Sequence, residues 1–394
     1  MAREGYRAVN ATATQRPFSI GKSPQLALPV RQAVALECAT QLPLWRLSSL
    51  ADFMLRLWEP RSDEPTGAMN PRLFLIPLIA MLAAACAASA WAQDKGTVHP
   101  KPLPPLANPN DPTIAAKELF GRKVLPAAMP TRVHGFYAHG CISGAEGLPI
   151  NGDNWQVMRL SRNRYWGHPD LVALVKRLAA RAHRDAGWPG ILVGDMSQPR
   201  GGPMLTGHAS HQVGLDADIW LTPMPNRQLS RNEREEMSAV MMVRSDRLDI
   251  DPQTWTPTHL AVIRAAAREP SVQRIFVNAA IKKALCREAK GDRQWLQKVR
   301  PMYGHDYHFH IRIKCPPGAS ECESQPEPNE GEGCSAGDLA YWFSDAVLHP
   351  KPPKVPPKPK PPLTMAALPP ACKTVLSAPD TKHEVSSRPT GERR

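Results

Sequence analysis

Two short segments of this chain alternate polar and apolar residues with a period of two, and each puts metal-ligand side chains on one face. The first is Gly207-His-Ala-Ser-His-Gln-Val-Gly-Leu-Asp-Ala-Asp-Ile-Trp220. From Leu215 onward, Asp216, Asp218 and Trp220 point one way while Ala217, Ile219 and Leu221 point the other, the signature of a half-buried strand. His208 and His211 stand just before it, and Gly214 lets the chain turn back. The second is His305-Asp-Tyr-His-Phe-His-Ile-Arg-Ile-Lys314, in which His308, His310, Arg312 and Lys314 share a face opposite Phe309, Ile311 and Ile313. Five of the 13 histidines fall in these two windows. Imidazole nitrogens and carboxylate oxygens are ordinary zinc donors, and two such strands side by side offer three protein ligands with a fourth position left open. That is the arrangement of a catalytic metal rather than a structural one.

The rest of the chain divides by composition. Met69-Asn-Pro-Arg72 opens a charged segment. Leu73 to Ala92 then runs without a charge and ends in Ala90-Trp-Ala92, the form read by signal peptidase, with cleavage expected before Gln93. Residues 69–92 therefore read as a signal peptide, and Met69 as the start of the exported protein. Residues 1–68 read as a disordered upstream extension that the fold does not need. A linker rich in Pro, Lys and Asn is expected over 93–114 and the main domain over 115–349. A Pro/Lys-rich tail is expected over 350–394, extended like polyproline II and tied back through Cys372. With Cys38 and Cys86 outside the mature chain, six of the eight cysteines remain: Cys141, Cys286, Cys315, Cys322, Cys334 and Cys372. An even number in an exported chain reads as disulfides, with 15 possible pairings. No C-x-x-C pair suggests a cysteine zinc site.

Within the main domain the pattern is α+β. His168-Pro-Asp170 starts a helix whose apolar stripe is Leu171, Leu174, Val175, Leu178 and Ala179, with Gly187 past its end. Ile191-Leu-Val193 is a short buried strand leading into the Gly194–Gly202 loop, flexible by composition. A second helix is expected over 257–269 behind Thr256, a strand over 274–277, and helices near 279–288 and 292–299. The expected fold is a small antiparallel sheet carrying the metal site, flanked by helices and stapled by disulfides. The net charge of +13 is spread along the chain. No basic block interleaved with aromatics marks a nucleic-acid surface, so no nucleic-acid partner is expected. A basic exterior suits a carboxylate-rich substrate.

His211 to Asp218, followed far downstream by His308 and His310, resembles the lysostaphin, D-Ala-D-Ala and sonic hedgehog class of zinc peptidases. Longer strings resemble, within that class, the penicillin-insensitive murein endopeptidase family. They are Gly207-His-Ala-Ser-His-Gln212, Gln156-Val-Met-Arg159, Tyr165-Trp-Gly-His-Pro-Asp170, Arg274-Ile-Phe-Val-Asn278 and Trp295-Leu-Gln-Lys-Val-Arg-Pro301. The similarity spans about residues 138–373. It implies Zn²⁺ held by His211, Asp218 and His310, with His208 beside the metal. It implies a second site at Asp246, where Asp249 stands in place of the family's histidine, and His305 and His308 as active-site histidines that do not bind metal. It also implies the disulfides Cys141–Cys372, Cys286–Cys334 and Cys315–Cys322.

The implied activity is hydrolysis of the D-alanyl–meso-diaminopimelyl cross-link of peptidoglycan in the periplasm, with no stable membrane anchor. A metal-activated water forms no acyl-enzyme with a β-lactam. The chain offers little for a serine route: Ser19-Ile-Gly-Lys22 precedes the signal peptide and no K-T-G is present. His308 is the first candidate to move the proton or stabilise the oxyanion, His305 the second. Asp216 is placed to orient a ligand histidine. A D,D-carboxypeptidase with the same metal ligands and a non-catalytic wall-binding protein are the alternative readings.

Overall fold

Helices begin where their capping residues allow. In the computed structural model, which describes residues 95–353 and 361–381, the first long helix spans Pro169–Ala186. His168 at its N-cap accepts from the Asp170 N–H, and Gly187 closes it at a left-handed φ of 69°. Thr256 precedes a helix over Pro257–Ala267, and the Asn278 side chain caps one over Ala279–Glu288. The segment expected as a helix near 292–299 is instead a short 3₁₀ turn, Gln294–Lys298, running into a strand. Pro301 removes a donor that a longer helix there would need. The segments expected as an upstream extension (1–68) and a signal peptide (69–92), most of the Pro/Lys run (354–360) and residues 382–394 lie outside the described residues.

Among the described residues there are eleven strands. β1 (Arg132–Phe136) pairs with β2 (His139–Ser143), and β3 (Glu146–Gly147) with β6 (Trp166–Gly167). The others are β4 (Asn151–Gly152), β5 (Trp155–Val157), β7 (Ile191–Val193), β8 (Asp216–Trp220), β9 (Val272–Val277), β10 (Val299–Pro301) and β11 (His308–Ile313). They form one sheet in the order β10-β9-β11-β8-β7-β5-β4. Its centre is antiparallel, as expected for the strands that carry the site: β11 runs between β8 and β9, and β8 pairs with β7. The whole sheet is larger and mixed, because β5–β7 and β10–β9 are parallel. Parallel neighbours need a crossover, and the helices Pro169–Ala186 and Ala279–Glu288 supply one each.

The alternation read in β8 and β11 sorts their side chains as expected. Ala217, Ile219, Phe309, Ile311 and Ile313 enter the main core with Leu171, Leu174, Val175 and Leu178 of the first helix and Val262 and Ile263 of the second. The opposite face is left to Asp216, Asp218, His308, His310 and Arg312. One side of the sheet is thus packed by helices and the other carries the polar site.

All three disulfides implied by the resemblance are present: Cys141–Cys372, Cys286–Cys334 and Cys315–Cys322. The first joins residues 231 apart, so it restricts the unfolded chain most, by on the order of 5 kcal/mol in the chain-entropy model. It seats the last helix, Ala371–Ser377, against β2. Arg200 completes that seat. Fully buried, it donates to the carbonyls of Val375, Leu376 and Ala378 at 2.6–3.0 Å and pairs with Asp380 at 2.7 Å. It satisfies helix-end carbonyls that would otherwise be orphaned. The Gly194–Gly202 loop, expected to be flexible by composition, is buried throughout; its Arg200 binds backbone carbonyls of distant segments, which composition does not reveal.

Candidate metal centre

Register brings the site together. The antiparallel pairing sets His310 directly opposite Asp218, His308 opposite Trp220 and Arg312 opposite Asp216. His211 comes from the loop before β8. Its backbone lies in the left-handed region at φ 65°, uncommon for a side chain with a Cβ. Its N–H donates to Asp216 Oδ2 at 3.1 Å. Gly214, at φ 70°, makes the turn into β8; a Cβ there would sit 2.6 Å from Ile142 Cδ1.

Asp218 is the centre of the cluster. Its carboxylate lies 3.2 Å from His310 Nδ1, 3.3 Å from His208 Nε2, 3.5 Å from His211 Nε2 and 3.7 Å from His308 Nε2. Ligand atoms of His208, His211 and Asp218 all fall within 4.8 Å of one another. His211 is wholly buried, and neither of its ring nitrogens is hydrogen-bonded; nor is Asp218 Oδ1. Buried polar atoms left in that state are costly, and a cation among them removes the cost. The donor set, imidazole and carboxylate, fits a divalent metal such as zinc.

The supporting groups are on the same face. His310 uses Nε2 to reach Asp216 Oδ1 at 2.8 Å, which turns its Nδ1 toward Asp218. Arg312 Nε donates to the same Asp216 oxygen at 2.6 Å, and its guanidinium lies 3.5 Å over the Tyr137 ring. Asp216 thus fixes the orientation of the His310 ring, whatever that ring binds. Burial favours its neutral form, but Arg312 and His310 hold its carboxyl well below the usual range. Burial likewise opposes ionisation of Asp218, and His211, His208 and His308 more than offset that. His310 is pulled down by burial but raised overall by Asp216 and Asp218.

His305 also has a left-handed backbone, φ 56°. Its Nδ1 donates to the Tyr303 carbonyl at 2.8 Å, which selects the tautomer with an unprotonated Nε2. Burial, with His308 and His310 close by, pushes its pKa well below the usual 6.5. Its ring centre is 4.8 Å from that of His308. The two aspartates expected at a second site form ion pairs. Asp246 pairs with Arg244, and Asp249 pairs with Arg287 at 2.9 Å and Lys283 at 3.3 Å.

A small cleft opens onto the cluster, lined by Arg159, Arg162, Asp195, Asp218, Trp220, Tyr307 and the histidines 208 and 308. No sequence pattern singles out Asp195. It lies two residues beyond β7, and the backbone bonds Gly194 N–H to Asp218 O and Asp218 N–H to Asp195 O set it beside β8. Its buried carboxylate, disfavoured by burial, is kept ionised by His208 at 3.5 Å, Arg164 at 2.8 Å and Arg162 at 3.2 Å. An aspartate just after a fully apolar strand is the one local sign of it.

Comparison with known proteins adds a relationship to this geometry. The family model described as penicillin-insensitive murein endopeptidase matches residues 133–377. A protein of that name from Klebsiella pneumoniae subsp. pneumoniae is 44% identical over 242 residues, covering 61% of this chain and 85% of the relative. The Haemophilus influenzae protein of the same name is 44% identical over 249 residues, 63% of this chain and 83% of its own length. That of Pectobacterium atrosepticum is 43% identical over 253 residues, 64% and 86%.

Proposed function

Since the chain belongs to the penicillin-insensitive murein endopeptidase family, we propose that it is a zinc-dependent murein endopeptidase cutting D-alanyl–meso-diaminopimelyl cross-links. The observation that carries the metal reading is the Asp218 cluster, with its buried, unbonded imidazole and carboxylate atoms. We assign the ligands to His211, Asp218 and His310, with His208 at the edge of the same group. Zinc bound there supplies Lewis-acid polarisation of the scissile carbonyl and acidification of a water molecule.

The chain's own side chains do the rest. Asp216 accepts from His310 Nε2 and keeps the ring turned toward the cluster. His308, two residues from His310 on the same face of β11 and lining the cleft, is assigned the proton transfer or the oxyanion contact. His305, neutral and with an unprotonated Nε2, is the next candidate for the base. Arg159 and Arg162 line the cleft wall, where Arg159 donates to the carbonyls of Arg234 and Met237 and Arg162 pairs with Asp195. Export through residues 69–92 would deliver the protein to the periplasm, where murein lies. Among the described residues no helix is long and apolar enough to cross a membrane.

The test is mass spectrometry of purified cross-linked muropeptide dimers after incubation with the protein, with and without a chelator. Conversion of dimers to monomers, stopped by chelator and restored by zinc, is the expected result. Release of terminal D-alanine with dimers intact would mean a carboxypeptidase, and no product at all a binding protein.

A further inference from the structure

Beside His305 the surface carries three aromatic side chains that hydrolysis itself does not require. Tyr303 and Tyr341 are 48% and 47% exposed. Their hydroxyls are 2.5 Å apart, and the Trp342 ring lies 5.0 Å from that of Tyr303 and 5.4 Å from that of Tyr341. Clustered, exposed aromatic rings of this kind mark contact surfaces, because each offers a large apolar face with a polar edge.

The segment that presents Tyr341 and Trp342 is held from both sides. Cys334, ahead of it, is bonded to Cys286. Behind it, Arg247 donates to the carbonyls of Val347 and Leu348. From below, the Lys283 ammonium lies 5.3 Å from the centre of the Phe343 ring while donating to the Leu248 carbonyl at 3.0 Å. Asp249 pairs with that lysine, so the aspartate standing at the family's histidine position helps to hold this surface. The cluster is linked to the cleft residue His308 through the backbone of Tyr303 and the ring of His305. Tyr303 accepts from His305, whose ring lies 4.8 Å from that of His308.

We propose that Tyr303, Tyr341 and Trp342 form a saccharide subsite that binds the glycan strand of murein while the peptide cross-link enters the cleft. This rests on the murein reading above. A pyranose ring has a face of C–H groups that stacks on aromatic rings and hydroxyls that reach phenolic oxygens. A cross-link of alanine and diaminopimelate has neither. The three stacking side chains carry no charge, which suits a sugar better than the carboxylates of the peptide.

Two cross-linked dimers separate the contributions, one bearing its disaccharides and one stripped of them by an amidase. Tyr341→Ala and Trp342→Ala should each lower the preference for the sugar-bearing dimer by about two- to tenfold, through KM. Trp342→Phe should retain most of it. Equal losses on both dimers, or no change in the ratio, overturn the subsite. Peptide-free glycan chains provide a test independent of turnover: the unmodified protein should retain them and the Tyr341→Ala/Trp342→Ala protein should not. Glycan binding without cleavage of either dimer would sink the endopeptidase reading and leave the subsite standing. Cleavage of both dimers with no glycan binding would sink the subsite alone.

Discussion

The β1–β2 hairpin and the Asp218 cluster each bring histidine together with oxygen-bearing side chains, and of these two regions only the second has the makings of a reactive site. On the β1–β2 hairpin, His134 Nδ1 meets Glu321 at 2.6 Å while its Nε2 lies 3.5 Å from Ser143 Oγ. In order and residue type this looks like a hydrolytic triad. Ser143 is fully buried, however, and its hydroxyl donates to the Pro130 carbonyl at 2.7 Å. The serine hydroxyl and the imidazole nitrogens there are engaged locally. At Asp218, by contrast, the buried His211 ring nitrogens and a carboxylate oxygen lack hydrogen bonds, and a cleft reaches the cluster. Residue types arranged in a familiar order are therefore weak evidence for chemistry. Unspent hydrogen-bonding capacity at the end of an open path is stronger evidence.

The largest expected effect tests the strong side of this comparison. His211→Ala or Asp218→Ala should abolish both tight zinc binding and cross-link hydrolysis, measured by metal analysis and product release on the purified variants. Full zinc and full activity in either variant would remove the metal assignment.

A step below lies the pair on β11. His308→Ala should keep its zinc and lose turnover by about 10²–10⁴-fold, whereas His310→Ala should lose zinc as well. Zinc content and hydrolysis are measured side by side. If His308→Ala loses the metal and His310→Ala keeps it, the two roles are reversed. If His308→Ala is fully active, His305 becomes the base.

Asp216→Asn probes the support rather than the ligands, and should weaken zinc binding by about 10–100-fold. The same network predicts a pH dependence. His310 has its pKa raised above 6.5, so its proton persists above that pH and must leave before the ring can bind metal. Asp218 and Asp216, both lowered, stay ionised far into acid. Zinc affinity should therefore rise from pH 6 to pH 8 and fall in acid through the histidine, not the carboxylates. Competition titrations at the two pH values check this; a flat profile would contradict the role given to His310.

The smallest effect belongs to the other region. Ser143→Ala should leave hydrolysis within about twofold of normal and cost about 1 kcal/mol of stability, the usual worth of one hydrogen bond. Denaturant melts and the dimer assay together measure it. A collapse in turnover with the fold and zinc intact would show that the hairpin cluster takes part in catalysis after all.

Much of the site can be read from the order of residues alone. Period-two alternation puts Asp216 with Asp218, and His308 with His310 and Arg312, because successive strand side chains must face opposite ways. Helix starts at Pro169 and Pro257 follow from local capping, which depends on a few neighbouring residues. The family's long strings carry the disulfide pairing, which six cysteines alone leave open among 15 arrangements.

Other features are settled only in three dimensions. Which strand lies beside β11, and in what register, depends on packing between segments nearly a hundred residues apart; that choice sets His310 against Asp218. Asp195 gives almost no local sign, since its neighbours Arg162, Arg164 and His208 come from other parts of the chain. The Gly194–Gly202 loop reads as mobile by composition. Arg200, spending its donors on carbonyls about 175 residues away, makes it part of the core. Sequence determines which side chains a strand or helix can present together, because that is local geometry. Whether their charges and hydrogen bonds are met, and from where, is decided by tertiary contacts that no local pattern encodes.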